Sequence, residues 1–212
     1  MDIHAPHQPV HSWRDFFTHI VIITIGLFLA LMLEAGVDWL HHRHIVREAR
    51  DNIREELNGN HANAQKDLVY IQDEIDRTKA DLATIRKLRA DQKNFKGSLE
   101  YIMRFSSFDS AAWTTARETG ALGYMPYKEV QDDDGLYTEQ QMVNDQAVAI
   151  FRRQSLDMTP MFMEDSSTDV PAARIETLLH DTAATLIELK TLQQLVQQYD
   201  AACVAQLKKY QP

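Results

Sequence analysis

Hydrophobic and polar positions along this chain follow two different patterns, and the change falls near residue 40. Residues 16–33 (FFTHIVIITIGLFLALML) carry no formal charge at neutral pH. As a helix this stretch covers about 27 Å, close to the hydrocarbon thickness of a bilayer. Ile20, Val21, Ile22, Ile23, Ile25, Leu27, Phe28, Leu29, Leu31, Met32 and Leu33 cover every face, where a water-soluble amphipathic helix shows a stripe. The pattern predicts a membrane-spanning helix over 12–40 with interfacial ends.

From about Leu57 the apolar positions fall on three- and four-residue steps: Leu57, Ala64, Leu68, Ile71, Ile75, Thr78, Leu82 and Ile85, with His61 filling one gap. Asp, Glu, Lys, Arg and Gln occupy most of the positions between. This is the seam of a bundle or coiled coil. It keeps its phase across Asn58-Gly59-Asn60, so the helix is expected to continue through that breaker. Asp91 to Gly97 reads as a turn region, and Leu99 to Phe105 as a short helix. Asp109 or Ser110 is suited to cap a helix running from Ala111 to Thr119, closed by Gly120. Pro126 is placed to start a helix from Lys128 to about Met158, with Val130, Val143, Ala147, Ile150, Phe151 and Met158 facing inward. Pro160 ends it. Ser166 to Pro171 is a loop, and Pro171 opens a last helix to about Tyr210. The seam of that helix is Ile175, Leu178, Leu186, Leu189, Leu192, Val196, Tyr199, Cys203 and Leu207. The expected fold is all-α: one N-terminal transmembrane helix, then an antiparallel three- to four-helix bundle with coiled-coil-like seams. Residues 1–11 form a flexible His/Pro tail, 12–40 the span, and 41–212 the soluble bundle.

Composition changes this picture little. Seven Gly and six Pro in 212 residues are few for a sheet protein with many turns. A formal net charge of −9 argues against nucleic acid as a partner, because phosphate neutralisation needs Lys and Arg. Cys203 is the only cysteine, so no intrachain disulfide can form; on the seam it reads as buried and inert. A cleaved signal peptide would want a basic start, yet no Lys or Arg precedes Arg14.

Candidate chemistry is sparse. Trp13 and Trp39 frame the span at interface depth. Gly26 and Ala30 form a small-xxx-small pair that lets a second helix approach. His4, His7 and His11 in the tail, and His41, His42 and His44 after Trp39, invite a metal reading. The blander readings are a solvated tail and headgroup contact. Asp132-Asp133-Asp134-Gly135 resembles the start of a calcium loop but lacks its alternating spacing, and reads as a solvated helix start. Met158, Met161, Met163 and Phe162 read as core filling. The sequence has no G-x-S-x-G, H-E-x-x-H or P-loop motif, and His61 and His180 stand singly on separate helices. No catalytic residue, cofactor or metal site is therefore assigned, and the chain is expected not to be an enzyme. Trp113, Tyr124 and Tyr127 lie in the one irregular region, where they form either a partner patch or the cap of the bundle. One arginine before the span (Arg14) against four after it (Arg43, Arg47, Arg50, Arg54) favours a cytoplasmic bundle.

GLFLALMLE (Gly26 to Glu34) at the end of a span, then Trp39, a charged helix, and a W-x6-G-x-L stretch (Trp113, Gly120, Leu122) together resemble a known layout. It is that of bacterial single-span membrane proteins of the domain-of-unknown-function family 6090. The resemblance implies an inner-membrane anchor with the soluble part on the periplasmic side. It supplies no catalytic residues. The His-rich tail here departs from the basic tail of that family. The expected function is a membrane-anchored, non-enzymatic interaction module or accessory subunit. Its partners would be the lipid bilayer and a second copy or other membrane subunits. The alternatives are a ligand-sensing bundle, or a metal-binding membrane protein using the N-terminal and juxtamembrane histidines.

Overall fold

The seam that runs unbroken through Asn58-Gly59-Asn60 does produce one helix. In the computed structural model, which describes residues 13–99, 104–157 and 170–210, α1 spans Trp13–Ala90. Asn58 stays helical by turning its amide back onto the Arg54 carbonyl, 2.8 Å away. The helix stops at Asp91, whose carboxylate collects Asn94 through its backbone and side-chain N–H groups. The remaining elements are α2 (Ala111–Glu118), a 3-10 turn (Ala121–Tyr124), α3 (Tyr127–Asp157) and α4 (Ala172–Lys209). Among the described residues all regular structure is helical, as expected. Gly120 sits at φ 77°, the left-handed conformation in which a Cβ is strained. Pro126 and Pro171 open α3 and α4, their carbonyls receiving the first N–H groups of each helix. Most of the expected 99–105 helix lies outside the described residues; Leu99, Arg104 and Phe105 are not helical. The tail 1–11, Met158 to Met163 and most of the 166–171 loop also lie outside them.

The chain divides into two compact units, Met1–Arg47 and Glu48–Pro212. The described part of the first is helix alone, and every residue from Trp13 to His41 is exposed.

The second unit packs three long helices, and its side-chain pairs give their directions. Arg50 meets Glu129, Asn60 meets Gln140 and Glu74 meets Gln154, so α1 and α3 run in parallel, offset by about 80 residues in sequence. His61 meets Asp200, Gln72 meets Gln193 and Arg89 meets Glu176, so α4 runs against α1. Asp133 with Gln206 and Gln140 with Tyr199 set it against α3 as well. The antiparallel packing expected from the sequence is that of α4 with both others. The parallel pair requires residues 91–126 to carry the chain back along the bundle, the long crossover known from other helix bundles.

Burial follows the seams with informative exceptions. On α1, Leu57, Ala64, Ile71, Thr78 and Ile85 recur every seven residues and are all buried. A second seven-residue series is also buried: Ile53, Asn60, Asp67, Glu74, then Leu88 two steps on. Its middle members are polar, and a search for apolar periodicity passes over them. On α4, Thr185 and Gln206 are buried where the seam named Leu186 and Leu207, which are half-buried. On α3, Val143, Ala147 and Ile150 face inward as expected. Phe151 does not; it is 57% exposed, while Leu136, Tyr137, Gln140 and Gln154 take the interior. At one end, Ile85, Leu88, Val170, Ile175 and Leu178 form an apolar cluster with Phe95, Leu99 and Leu179 packed against it.

Candidate functional site

Three features carry chemistry: the exposed apolar helix, long and apolar enough to cross a membrane, the polar groove that holds the crossover, and an apolar cleft beside it.

Gly26 and Ala30 of the apolar stretch lie on an open helix face, and a Cβ added at Gly26 would meet nothing within 4 Å. Trp13 and Trp39 are 78% and 58% exposed. The Arg43 guanidinium lies over the Trp39 ring, 5.3 Å from its centroid. Of the arginines beyond Arg47, Arg50 is clamped by both Glu129 oxygens at 2.6 Å, and Arg54 pairs with Asp51 at 3.5 Å. That clamp raises the Arg50 pKa further, chiefly through the hydrogen bond to Glu129. His41 and His42 stand with ring centroids 6.2 Å apart. Among the described residues no group of three or more His, Cys, Asp or Glu is placed to hold a metal ion.

The groove between α1 and α3 explains Asn60 and Asp67 of the buried polar series, while Glu74 pairs with Gln154 and Arg77. A loop laid between two helices must still satisfy its backbone. Residues 106–112 do so with side chains from both helices. The Ser106 N–H donates to both oxygens of Asp67, at 2.9 and 3.1 Å. Asn60 accepts from the Asp109 N–H and donates to the Asp109 carbonyl, each at 2.8 Å. From α3, Gln140 donates to the Phe108 and Asp109 carbonyls, and Asn144 accepts from the Phe108 N–H. Tyr199 of α4 donates to Gln140 Oε1 at 2.9 Å and packs its ring on Phe108 at 4.7 Å. Glu56 completes the strap, accepting from the Ala112 N–H at 2.7 Å and from the Tyr137 hydroxyl at 2.6 Å. Ser110 is thus the N-cap residue of α2, as the sequence suggested, but its side chain caps nothing; the Glu56 carboxylate serves the helix start instead.

Trp113, expected as a surface patch or a cap, is 5% exposed and stacks on Tyr137 at 5.1 Å with an interplanar angle of 11°. It is part of the buried interior, not of an exposed patch. Tyr124 and Tyr127 remain on the surface, 53% and 82% exposed. The Asp132–Gly135 helix start is not uniformly solvated. Asp132 is gripped by Lys128 and Lys209, whereas Asp133 is fully buried and accepts from Gln206 and the Tyr210 hydroxyl, each at 2.6 Å. Burial pushes the carboxyls of Asp67, Glu74 and Asp133 above their usual range, and the Lys128 and Lys209 ammoniums hold Asp132 below it. Cys203 is fully buried, its thiol pushed up to about 11 by desolvation, which keeps it protonated and unreactive. Gln154 Oε1 is the one buried side-chain polar atom without a partner among the described residues.

A cleft of about 310 Å³ opens beside the strap, lined by Phe105, Ser107, Ala147, Val148 and Phe151. It is mostly apolar. The buried carboxyls with raised pKa values lie instead between α1 and α3 and at the α3–α4 contact, among the chain's own backbone and side chains.

The sequence reading missed Asn60, Asp67 and Glu74. Their signal was present as a polar series spaced by seven, in phase with the apolar one.

No family model, no curated protein and no solved structure matches this chain.

Proposed function

We propose that this protein is a single-span membrane anchor whose helical bundle acts as a non-enzymatic interaction module or accessory subunit of a membrane complex. One observation carries the reading: no residue of the apolar N-terminal window is buried. Thirteen large apolar side chains between Phe16 and Leu33 stand 43–72% exposed. Leaving them in water forgoes roughly 20 kcal/mol or more, which exceeds the whole folding stability of an ordinary domain. Lipid tails remove that cost. For the bundle, the reading is supported by the groove, where Asp67, Asn60, Gln140, Asn144 and Glu56 are spent on holding the strap.

The bilayer is proposed to be a bacterial inner membrane with the bundle on the periplasmic side. This follows the family 6090 resemblance rather than the arginine count. The partners proposed are a second copy or other membrane subunits, with Gly26 and Ala30 as the close-packing face.

Carbonate extraction followed by ultracentrifugation tests the anchor; full-length protein remaining in the supernatant would remove it. Extraction in mild detergent with co-purification and mass spectrometry tests the module. A lone monomer with no companion counts against it. For orientation, a C-terminal alkaline phosphatase fusion should be active; an inactive one beside a glowing fluorescent-protein fusion reverses the assignment.

A further inference from the structure

The helix segment after Trp39 carries a charge pattern that the anchor alone does not require. Trp39, Arg43 and Arg47 follow one another at four-residue steps and so share one stripe of the helix. Glu34 lies nine residues before Arg43, and Asp38 nine before Arg47. At about 100° per residue, nine residues put each carboxylate on the opposite side of the helix. Phe28, Leu29 and Met32 precede Trp39 on the same broad face, all exposed. That face therefore passes from apolar to tryptophan to arginine, with both acids turned away.

Depth fits as well. Trp13 and Trp39 are 26 residues apart, a rise of about 39 Å, close to the thickness of a bilayer with its headgroups. Side chains on a helix lean toward its N-terminus, which here is toward the membrane. Arg43 does so: its guanidinium reaches back over Trp39, 5.3 Å from the ring centroid. The cation is thereby held at the level of the interfacial tryptophan; the next carboxylate along that stripe is Asp51, beyond Arg47, and it pairs with Arg54 at 3.5 Å. A planar guanidinium matches a phosphate bidentately, and an indole face supports it by cation–π attraction.

We propose that Trp39, Arg43 and Arg47 form a binding face for the phosphate groups of anionic phospholipids in the leaflet next to Trp39. The inference rests on the membrane-anchor reading. It adds that the anchor selects its lipids.

The test uses full-length protein carrying Trp13→Phe, reconstituted in equimolar phosphatidylcholine and phosphatidylglycerol. In paired samples one lipid or the other is brominated near the top of its chains. Trp39 fluorescence reports which lipid sits beside it, and Trp113, buried in the bundle, gives a constant background. The expected result is roughly fivefold enrichment of the anionic lipid. In Arg43→Gln/Arg47→Gln the two lipids should quench equally, and in Arg43→Lys/Arg47→Lys the enrichment should fall only in part. Equal quenching in the parent protein overturns the lipid-binding face and leaves the anchor standing. Absence of quenching by either lipid overturns both.

Discussion

The two units invert each other. In the first, the apolar side chains are outside and every residue from Trp13 to His41 is exposed. In the second, carboxylates are inside: Asp67 and Asp133 have no exposed surface and Glu74 only 5%. Each arrangement is costly in water until its surroundings are counted. The exposed apolar residues leave a large apolar surface uncovered by the rest of the chain. The buried acids need donors, and receive them from Ser106, Gln206, Tyr210, Gln154 and Arg77. The lesson is that periodicity reads where a residue sits only when the partner of its face is known.

The contrast can be broken most sharply by separating the units. Protein starting at Glu48 should leave the membrane pellet for the supernatant with its helix content retained by circular dichroism. If it still pellets with the membrane, the apolar stretch is not what anchors the chain. Next in size, Trp113→Ala should lower bundle stability by about 3–5 kcal/mol in urea unfolding, because it empties the space between Tyr137 and the crossover. A surface role for Trp113 would leave the midpoint unchanged. Asp67→Ala should cost about 1–3 kcal/mol by stranding the Ser106 N–H; hydrogen exchange at Ser106 should speed up with it.

Acidity sharpens the contrast further. Asp67, Glu74 and Asp133 are raised by burial, so the fold favours their neutral forms. The stability they contribute is full below their unfolded values near 4, and is lost as pH rises through their folded values. The urea midpoint of the bundle should therefore rise as pH falls from 7 toward 4.5. Asp133→Asn should flatten that slope; a midpoint that falls over the same range counts against buried neutral acids. Asp132 works the other way, its contribution lost only as pH drops through its depressed value, below that window. Smallest of all, Asp51→Ala should change stability by less than about 0.5 kcal/mol, since its pair with Arg54 is solvated.

By itself the sequence determined the helical class, the single apolar stretch, the continuity of α1 through Gly59, the stops at Asp91 and Gly120, and the helix starts at Pro126 and Pro171. These are local: they follow from propensity, from backbone freedom at one residue, and from the repeat of apolar side chains along one helix. Burial of Cys203 was legible for the same reason. Tertiary structure alone decided that α1 and α3 run in parallel, that the crossover lies between them, and that Trp113 faces inward. It also decided that Glu56, rather than Ser110, serves the start of α2. Glu56 and Ala112 are separated by 56 residues, and Asp67 and Ser106 by 39. No local rule joins such pairs, because a buried polar residue becomes favourable only when the fold delivers its donor.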